Sequence, residues 1–128
     1  MSKRTIITNK APNPMPYVFP QAVVANGLVF CSGSIAMDPS TCEIILGDIK
    51  DHTHQIIKNI SAILEAAGSS LDNIVKINIF ITDFANFSQL NEVYVQYFKG
   101  SNLPSRTCVA VKELPFDTDI EIECIATL

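Results

Sequence analysis

Apolar and polar positions alternate along the chain in a pattern that predicts short strands. Residues 22–25 and 28–31 are apolar runs on either side of Asn26-Gly27, and this dipeptide predicts a β-hairpin because both residues tolerate a positive φ. Residues 75–81 and 120–128 alternate as expected of two strands that each bury one face. The predicted buried rows are Val75, Ile77, Ile79 and Ile81 in the first strand, and Ile120, Ile122, Cys124, Ala126 and Leu128 in the second.

Two further segments carry apolar residues at helical spacing. Residues 48–67 predict an amphipathic helix with Asp48 or Asp51 as its N-cap and Gly68 as its end. A second helix is predicted between Asp83, as its cap, and Gly100. The apolar stripes are Ile56, Ile57, Ile60, Ile63, Leu64 and Ala67 in the first helix, and Phe87, Leu90, Tyr94, Tyr97 and Phe98 in the second.

The order of these elements predicts the architecture. With short β-branched runs at residues 5–8 and 106–111, the order is β-β-β-α-β-α-β-β within one domain spanning residues 1–128. Strands joined through a helix are normally parallel and cross over with a right hand, so both helices are expected on one face of a single mixed sheet. The other face then lacks a cover, which other subunits are expected to supply.

The composition agrees with an oligomer and argues against two kinds of binding partner, nucleic acid and a membrane. Hydrophobic residues make up 48% of the 128 residues and charged residues only 17%, which leaves few charges to cover a monomer. The net charge of -4 argues against nucleic acid as a partner, and no apolar run approaches the roughly 20 residues of a membrane span. Cys31, Cys42, Cys108 and Cys124 lack the spacing of a zinc or redox site, so reduced thiols in the cytosol are expected, with the mitochondrial matrix as the alternative.

A few polar residues are candidates for chemistry, and each has a simpler interpretation. Arg106 opens an apolar strand, where its guanidinium suits a carboxylate ligand or pairs with a surface glutamate. Glu121 and Glu123 share a strand face and suit acid-base work or lie in solvent. His52 and His54 point in different directions from a helix, so we expect two surface residues and no metal site.

Several segments taken together resemble the RidA (YjgF) family. The C-terminal matches are Pro104-Ser105-Arg106-Thr107-Cys108-Val109, then Leu114-Pro115, then Ile120-Glu121-Ile122-Glu123-Cys124-Ile125-Ala126. The similarity continues through Phe30-Cys31-Ser32-Gly33 and residues 64–71 and 74–80, and so covers nearly the whole chain. It implies a chorismate-mutase-like α+β fold, a homotrimer with clefts between subunits, and hydrolysis of reactive 2-imino acids without a metal or an organic cofactor.

The resemblance also implies roles for individual residues. Arg106 would clamp the carboxylate of the imino acid, and Glu121 would hold or activate the attacking water. The cleft would be completed by the backbone of Cys108, by the Ser32-Gly33 turn and by Asn91. Its aromatic residue would be either Tyr17, which follows Pro16, or Phe19, which precedes Gln21-Ala22-Val23.

The activity implied is that of a 2-iminobutanoate/2-iminopropanoate deaminase, which forms a 2-oxo acid and ammonia from imines released by pyridoxal-phosphate enzymes. Two alternatives stay open. One is an RNA-directed role as an endoribonuclease or translation inhibitor, against which the acidic charge balance argues. The other is a trimer that binds small molecules such as 2-oxo acids without turning them over.

Overall fold

The computed structural model describes residues 2–128 and has the predicted order of elements. The strands are β1 (Arg4–Ile6), β2 (Ala22–Ala25), β3 (Leu28–Ser34), β4 (Ile74–Ile81), β5 (Ser105–Ala110) and β6 (Ile120–Thr127), and the helices are α1 (Ile49–Ala66) and α2 (Phe87–Tyr97). Short 3₁₀ turns occupy Leu71–Asn73, Phe84–Asn86 and Pro115–Asp117.

All six strands form one mixed sheet in the order β1-β2-β3-β6-β4-β5. β4 and β5 are parallel, and every other neighbouring pair is antiparallel. α1 connects β3 to β4, and α2 connects β4 to β5, so the chain contains two successive strand-helix-strand units. The structure therefore confirms the α+β class and the single mixed sheet predicted from the sequence.

The core lies between the helices and one face of the sheet. It is formed by the apolar stripe of α1 packed against alternate residues of β4 and β6, which include Ile77, Ile79, Ile120 and Ile122. Each such side chain contributes about 1.5 to 3 kcal/mol when it is fully buried. Within residues 2–128, no helix is both long enough and apolar enough to cross a membrane.

Local signals in the sequence set the ends of several elements. Asn26 and Gly27 both have positive φ, 54° and 77°, and join β2 to β3 as a tight hairpin. Asp48 is the N-cap of α1 and accepts hydrogen bonds from the backbone N–H groups of Lys50 and Asp51, while the Asp51 carboxylate accepts from the N–H of Asp48. These reciprocal bonds form a capping box, which the spacing of the two aspartates permits.

Three details differ from the sequence prediction. Val75 is 45% exposed, because a register shift between Ile74 and Lys76 places Ile74 in the buried row. Leu128 is exposed because it follows the end of β6. Asp83 caps the 3₁₀ turn before α2, with its carboxylate accepting from the N–H of Ala85, and it does not cap the helix itself.

The second face of the sheet has no helix over it. Paired residues in neighbouring strands point to the same face, and one such row contains Val23, Phe30 and Ile125. A second row contains Phe80 between Glu121 and Val109. The side chains of Phe30 and Val109 are exposed in the isolated chain. This mixed apolar and polar surface is the face for which the sequence predicted a cover.

Candidate active site

A cavity of about 340 Å³ lies beside the end of β3 and the start of β6. Its wall includes Ser32, Gly33 and Glu121, which the sequence singled out, together with Phe19 from the proline-rich segment. Most of the remaining wall is apolar, with Met15, Ile35, Met37, Ile63 and Phe116. The volume is within the range of about 300 to 1,000 Å³ that is usual for small-molecule sites.

Gly33 brings the backbone of β3 directly against the carboxyl group of Glu121. A Cβ at residue 33 would lie 2.6 Å from Oε2 of Glu121, closer than side-chain carbons approach other atoms. The pairing of β3 with β6 shifts register between Cys31 and Ser34, so Gly33 lies within an irregular stretch of the strand. Glycine at this position therefore makes room for the Glu121 carboxylate.

The environment of Glu121 changes its acidity. Its side chain is half-buried, and desolvation raises the pKa of the carboxyl above its ordinary value. The negative charge of Glu123 on the same strand face raises this pKa further. A carboxylate with a raised pKa is a stronger base when it is ionised, which suits it to accept a proton from water.

Three polar side chains in the wall are hydrogen-bonded within the protein. Gln21 donates from Nε2 to the carbonyls of Ala11 and Pro12, and Asn59 donates from Nδ2 to the carbonyl of Met37. The hydroxyl of Ser32 donates to the carbonyl of Pro20. These hydrogen bonds hold the wall together, and the many apolar side chains of the wall suit an apolar substituent.

A strained turn forms the rim of the cavity. Phe116 (φ 57°) and Asp117 (φ 55°) are two successive residues in the left-handed region. Such a conformation costs roughly 1 to 2 kcal/mol for a residue other than glycine. It is least expected for a bulky aromatic residue. The turn directs the exposed ring of Phe116 to the cavity rim, four residues before β6 begins at Ile120.

Arg106 occupies a second, separate position on the edge strand β5. Its Nη1 donates a 2.7 Å hydrogen bond to Oδ1 of Asn91, and its guanidinium carbon lies 4.7 Å from the ring centre of Tyr94 and 5.6 Å from that of Phe87. The alternative of a pairing with a surface glutamate is not observed, since no carboxylate within residues 2–128 forms an ion pair with Arg106. The guanidinium is thus held in place with donors available for an anion.

Arg106 and Glu121 point to opposite faces of the sheet. Arg106 pairs with Ile77, whose side chain is buried beneath the helices, whereas Glu121 pairs with Phe80 on the uncovered face. Ile77 and Phe80 are three residues apart on β4, and an odd separation reverses the direction of the side chain. One chain therefore does not bring these two groups to a common point.

Of the other residues predicted for the site, Asn91 and Cys108 lie on the side of Arg106, Phe19 lines the cavity, and Tyr17 does neither. Asn91 lies with Arg106, where its oxygen orients the guanidinium. Cys108 is on the same face of β5, half-buried, and burial raises the pKa of its thiol, which disfavours the nucleophilic thiolate. Phe19 lines the cavity and is 37% exposed, whereas Tyr17 is fully exposed and not part of its wall.

The expectation that both histidines lie at the surface is wrong for His52. His52 is buried, with Nδ1 2.7 Å from Oδ1 of Asp119 and Nε2 2.9 Å from the carbonyl oxygen of Ile45. Nδ1 of His54 lies 2.7 Å from the hydroxyl of Tyr97 on α2. Within residues 2–128, no group of three or more histidine, cysteine or acidic side chains is arranged to hold a metal ion.

Sequence reasoning missed the residues that complete the cavity. Phe116 and Asn59 belong to no recognisable motif, and Gln21 served only to locate Phe19 in the sequence. The Leu114-Pro115 turn before Phe116 is the one local signal that precedes the rim. Residues from five separate segments form this wall, so their proximity depends on the tertiary fold.

Comparison with known proteins gives similarity along nearly the whole chain. Residues 8–128 match the family model described as endoribonuclease L-PSP. A RutC family protein of Pyrococcus horikoshii is 48% identical over 125 residues, which are 97% of each chain. A human protein named 2-iminobutanoate/2-iminopropanoate deaminase is 41% identical over 125 residues, 97% of this chain and 89% of the human chain.

The similarity extends to three-dimensional structure. The crystal structure of Escherichia coli TdcF with bound serine superposes with a TM-score of 0.86 at 39% identity and covers 98% of both chains. TdcF, a protein of this fold, thus binds a small amino acid in its crystal structure.

Proposed function

This chain belongs to the RidA family, whose model is described as endoribonuclease L-PSP, and we propose that it hydrolyses reactive 2-imino acids to 2-oxo acids and ammonia. The observation that carries the proposal is the half-buried Glu121 carboxyl against Gly33 at an apolar cavity. The name of the human relative supports this reaction, with 2-iminobutanoate and 2-iminopropanoate as the expected substrates.

The reaction needs a base that handles one proton near neutral pH. Glu121 accepts a proton from water as the water oxygen bonds to the carbon of the protonated imine, and a carbinolamine forms. Glu121 then gives this proton to the nitrogen and accepts the hydroxyl proton as the C–N bond breaks, so that the C=O bond of the 2-oxo acid forms and ammonia leaves. The raised pKa of Glu121 suits both steps, because the group must accept the proton and give it up again. The substrate's alkyl group occupies the apolar part of the cavity.

The substrate carboxylate is assigned to Arg106. Its planar fork binds a carboxylate through two hydrogen bonds, and Asn91 and the Tyr94 ring hold it in one orientation. Because Arg106 and Glu121 of one chain face opposite sides of the sheet, the site requires Glu121 from one copy and Arg106 from another. A cyclic trimer with the uncovered sheet faces inward meets this requirement and supplies the missing cover.

Charge separates this function from the endoribonuclease named in the family description. A chain with nine lysines and arginines against thirteen aspartates and glutamates has little to offer a phosphate backbone. Glu121 would in addition repel phosphate from the cavity. We therefore place the imino acid, and not RNA, in this site.

The test is hydrolysis of an imine generated in place. A threonine dehydratase supplies 2-iminobutanoate, and semicarbazide traps whatever has not been hydrolysed. Adding the protein is expected to reduce the trapped fraction, and Arg106→Ala is expected to abolish that effect without a change in melting temperature. An unchanged trapped fraction with the native protein would reject the deaminase, and 2-oxobutanoate affinity without hydrolysis would favour a binding protein.

The assembly is tested by light scattering at micromolar concentration. A particle of about three times the 14.0 kDa chain mass is expected. A particle with the mass of one chain would remove the composite site, because Arg106 and Glu121 would then have no means of meeting.

A further inference from the structure

The buried His52 takes no part in the proposed hydrolysis, yet its ring is bound on both sides. Its two nitrogens face the Asp119 carboxylate at 2.7 Å and the carbonyl oxygen of Ile45 at 2.9 Å. A carbonyl oxygen only accepts hydrogen bonds, and so does an ionised carboxylate. Nε2 of His52 therefore donates to the carbonyl of Ile45, and Nδ1 shares a hydrogen bond with the Asp119 carboxyl group.

Asp119 ends the turn that leads into Glu121. Within this turn Phe116 and Asp117 are in left-handed conformations, and the buried hydroxyl of Thr118 has no hydrogen-bond partner within residues 2–128. Both features disfavour the observed conformation of the turn, and contacts elsewhere must hold it. The carbonyl of Asp119 accepts from the N–H of Thr82, and its side chain is held by His52.

We propose that His52 is a positioning residue whose contacts with Ile45 and Asp119 fix the turn before β6, and so aim Glu121 and Phe116 at the cavity. The ring joins three segments: α1, the loop before it that contains Ile45, and the start of β6. The core packing of Ile120 and Ile122 continues the constraint into the strand that carries Glu121.

The proposal rests on the hydrolytic role of Glu121 for its effect on rate. Loss of the His52 contact is expected to lower kcat, because a shift of about 1 Å in a catalytic group can reduce a rate by a hundredfold. KM for 2-iminobutanoate, whose side chain is small, is expected to change little, since Arg106 is held by Asn91 and by the rings of Tyr94 and Phe87. A general loss of structure would instead alter both constants.

The first test uses the native protein and does not depend on activity. NMR of the ring is expected to show a proton on Nε2 of His52 and a hydrogen-bonded proton between Nδ1 and Asp119. A ring that lacks the Nε2 proton or the hydrogen bond at Nδ1 would overturn the proposal, since one of the two contacts that fix the turn would then be absent. His54, with its single Tyr97 contact, is the internal reference.

The second test compares variants in the imine assay. His52→Gln and Asp119→Asn are each expected to lower kcat by about tenfold to a hundredfold with nearly constant KM, and the double variant is expected to resemble either single one because the pair acts as a unit. The matched control is His54→Gln, on the same helix but bonded to α2, which should keep native kcat. Native kcat in a folded His52→Gln protein would overturn the proposal.

Failure of the proposed function gives a different result. A native protein that hydrolyses no imine would reject the deaminase and leave the positioning role to be judged by NMR. In that case His52→Gln is expected to shift the amide signals of Gly33 and Glu121, whereas His54→Gln leaves them in place. Unshifted Gly33 and Glu121 signals would overturn the positioning role as well.

Discussion

The substitution Gly33→Ala tests the contact on which the proposed chemistry depends most directly. An added Cβ would lie 2.6 Å from Oε2 of Glu121 and 2.8 Å from its Cδ, whereas ordinary contact begins at 3.4 Å. The carboxyl group must therefore retreat by about 0.8 Å, the difference between 3.4 Å and 2.6 Å. Gly33 is not among the residues with positive φ, so backbone strain does not contribute.

This displacement predicts a large effect on rate and a small one on stability. A misplacement of about 1 Å can cost a hundredfold in rate, which is about 2.7 kcal/mol of transition-state stabilisation. The atoms that must move are the end of a flexible side chain, so the cost of overpacking is expected near the lower limit of about 1 kcal/mol. The smaller entropy of the unfolded alanine chain offsets part of that cost, by roughly 0.4 to 1 kcal/mol.

The measurement is kcat for imine hydrolysis together with the melting temperature. Gly33→Ala is expected to lose roughly 30- to 100-fold in kcat while it unfolds within a few degrees of the native protein. Gly27→Ala is the control, since its φ of 77° makes alanine unfavourable in the hairpin but no atom lies within 4 Å of the new Cβ. This control should lose stability and keep its rate. Near-native kcat for Gly33→Ala would refute the argument that residue 33 makes room for Glu121.

Three further predictions concern the acid-base group, the assembly and the rim. Burial, and to a smaller extent the charge of Glu123, raise the pKa of Glu121, so activity is expected above that pKa and is lost as pH falls through it. Glu123→Gln should therefore move the acidic limb of the kcat/KM profile to lower pH. An unmoved limb would contradict the effect assigned to Glu123. Inactive Arg106→Ala and Glu121→Gln chains should regain activity when they are refolded together, whereas continued inactivity would argue against a site shared by two copies. Phe116→Asn places a residue that tolerates positive φ in the strained turn, so the melting temperature should stay level or rise. KM for imino acids with large apolar side chains should increase several-fold, because the ring is lost from the cavity rim. An unchanged KM would show that the ring does not contact the substrate.

The raised pKa of Glu121 also affects the stability of the fold, with a defined sign. Because the pKa of Glu121 is higher in the folded chain than in the unfolded one, its ionisation disfavours the fold. This contribution to folding is favourable at pH values below the unfolded pKa and is lost as pH rises through the folded pKa. The ionised, half-buried Glu121 thus lowers the free energy of unfolding, as is common for residues in active sites.

Local patterns in the sequence determined the secondary structure and its order. Asn26-Gly27 specified the hairpin because few other dipeptides accept two positive φ values, and Asp48 specified the start of α1 because its carboxylate satisfies free N–H groups. The period of two in β6 and the helical period of α1 specified which faces are buried, and the low charge content indicated that the remaining sheet face needs a partner.

The tertiary structure alone decided how the chemical groups are arranged. The burial of His52 depends on Asp119, which is 67 residues away in sequence, and the exposure of Val75 depends on a register shift that no local pattern reveals. The close approach of Gly33 to Glu121 and the separation of Glu121 from Arg106 follow from strand pairing across β3, β6, β4 and β5. Periodicity reports only whether a residue is buried, whereas these contacts depend on which distant strand or helix buries it.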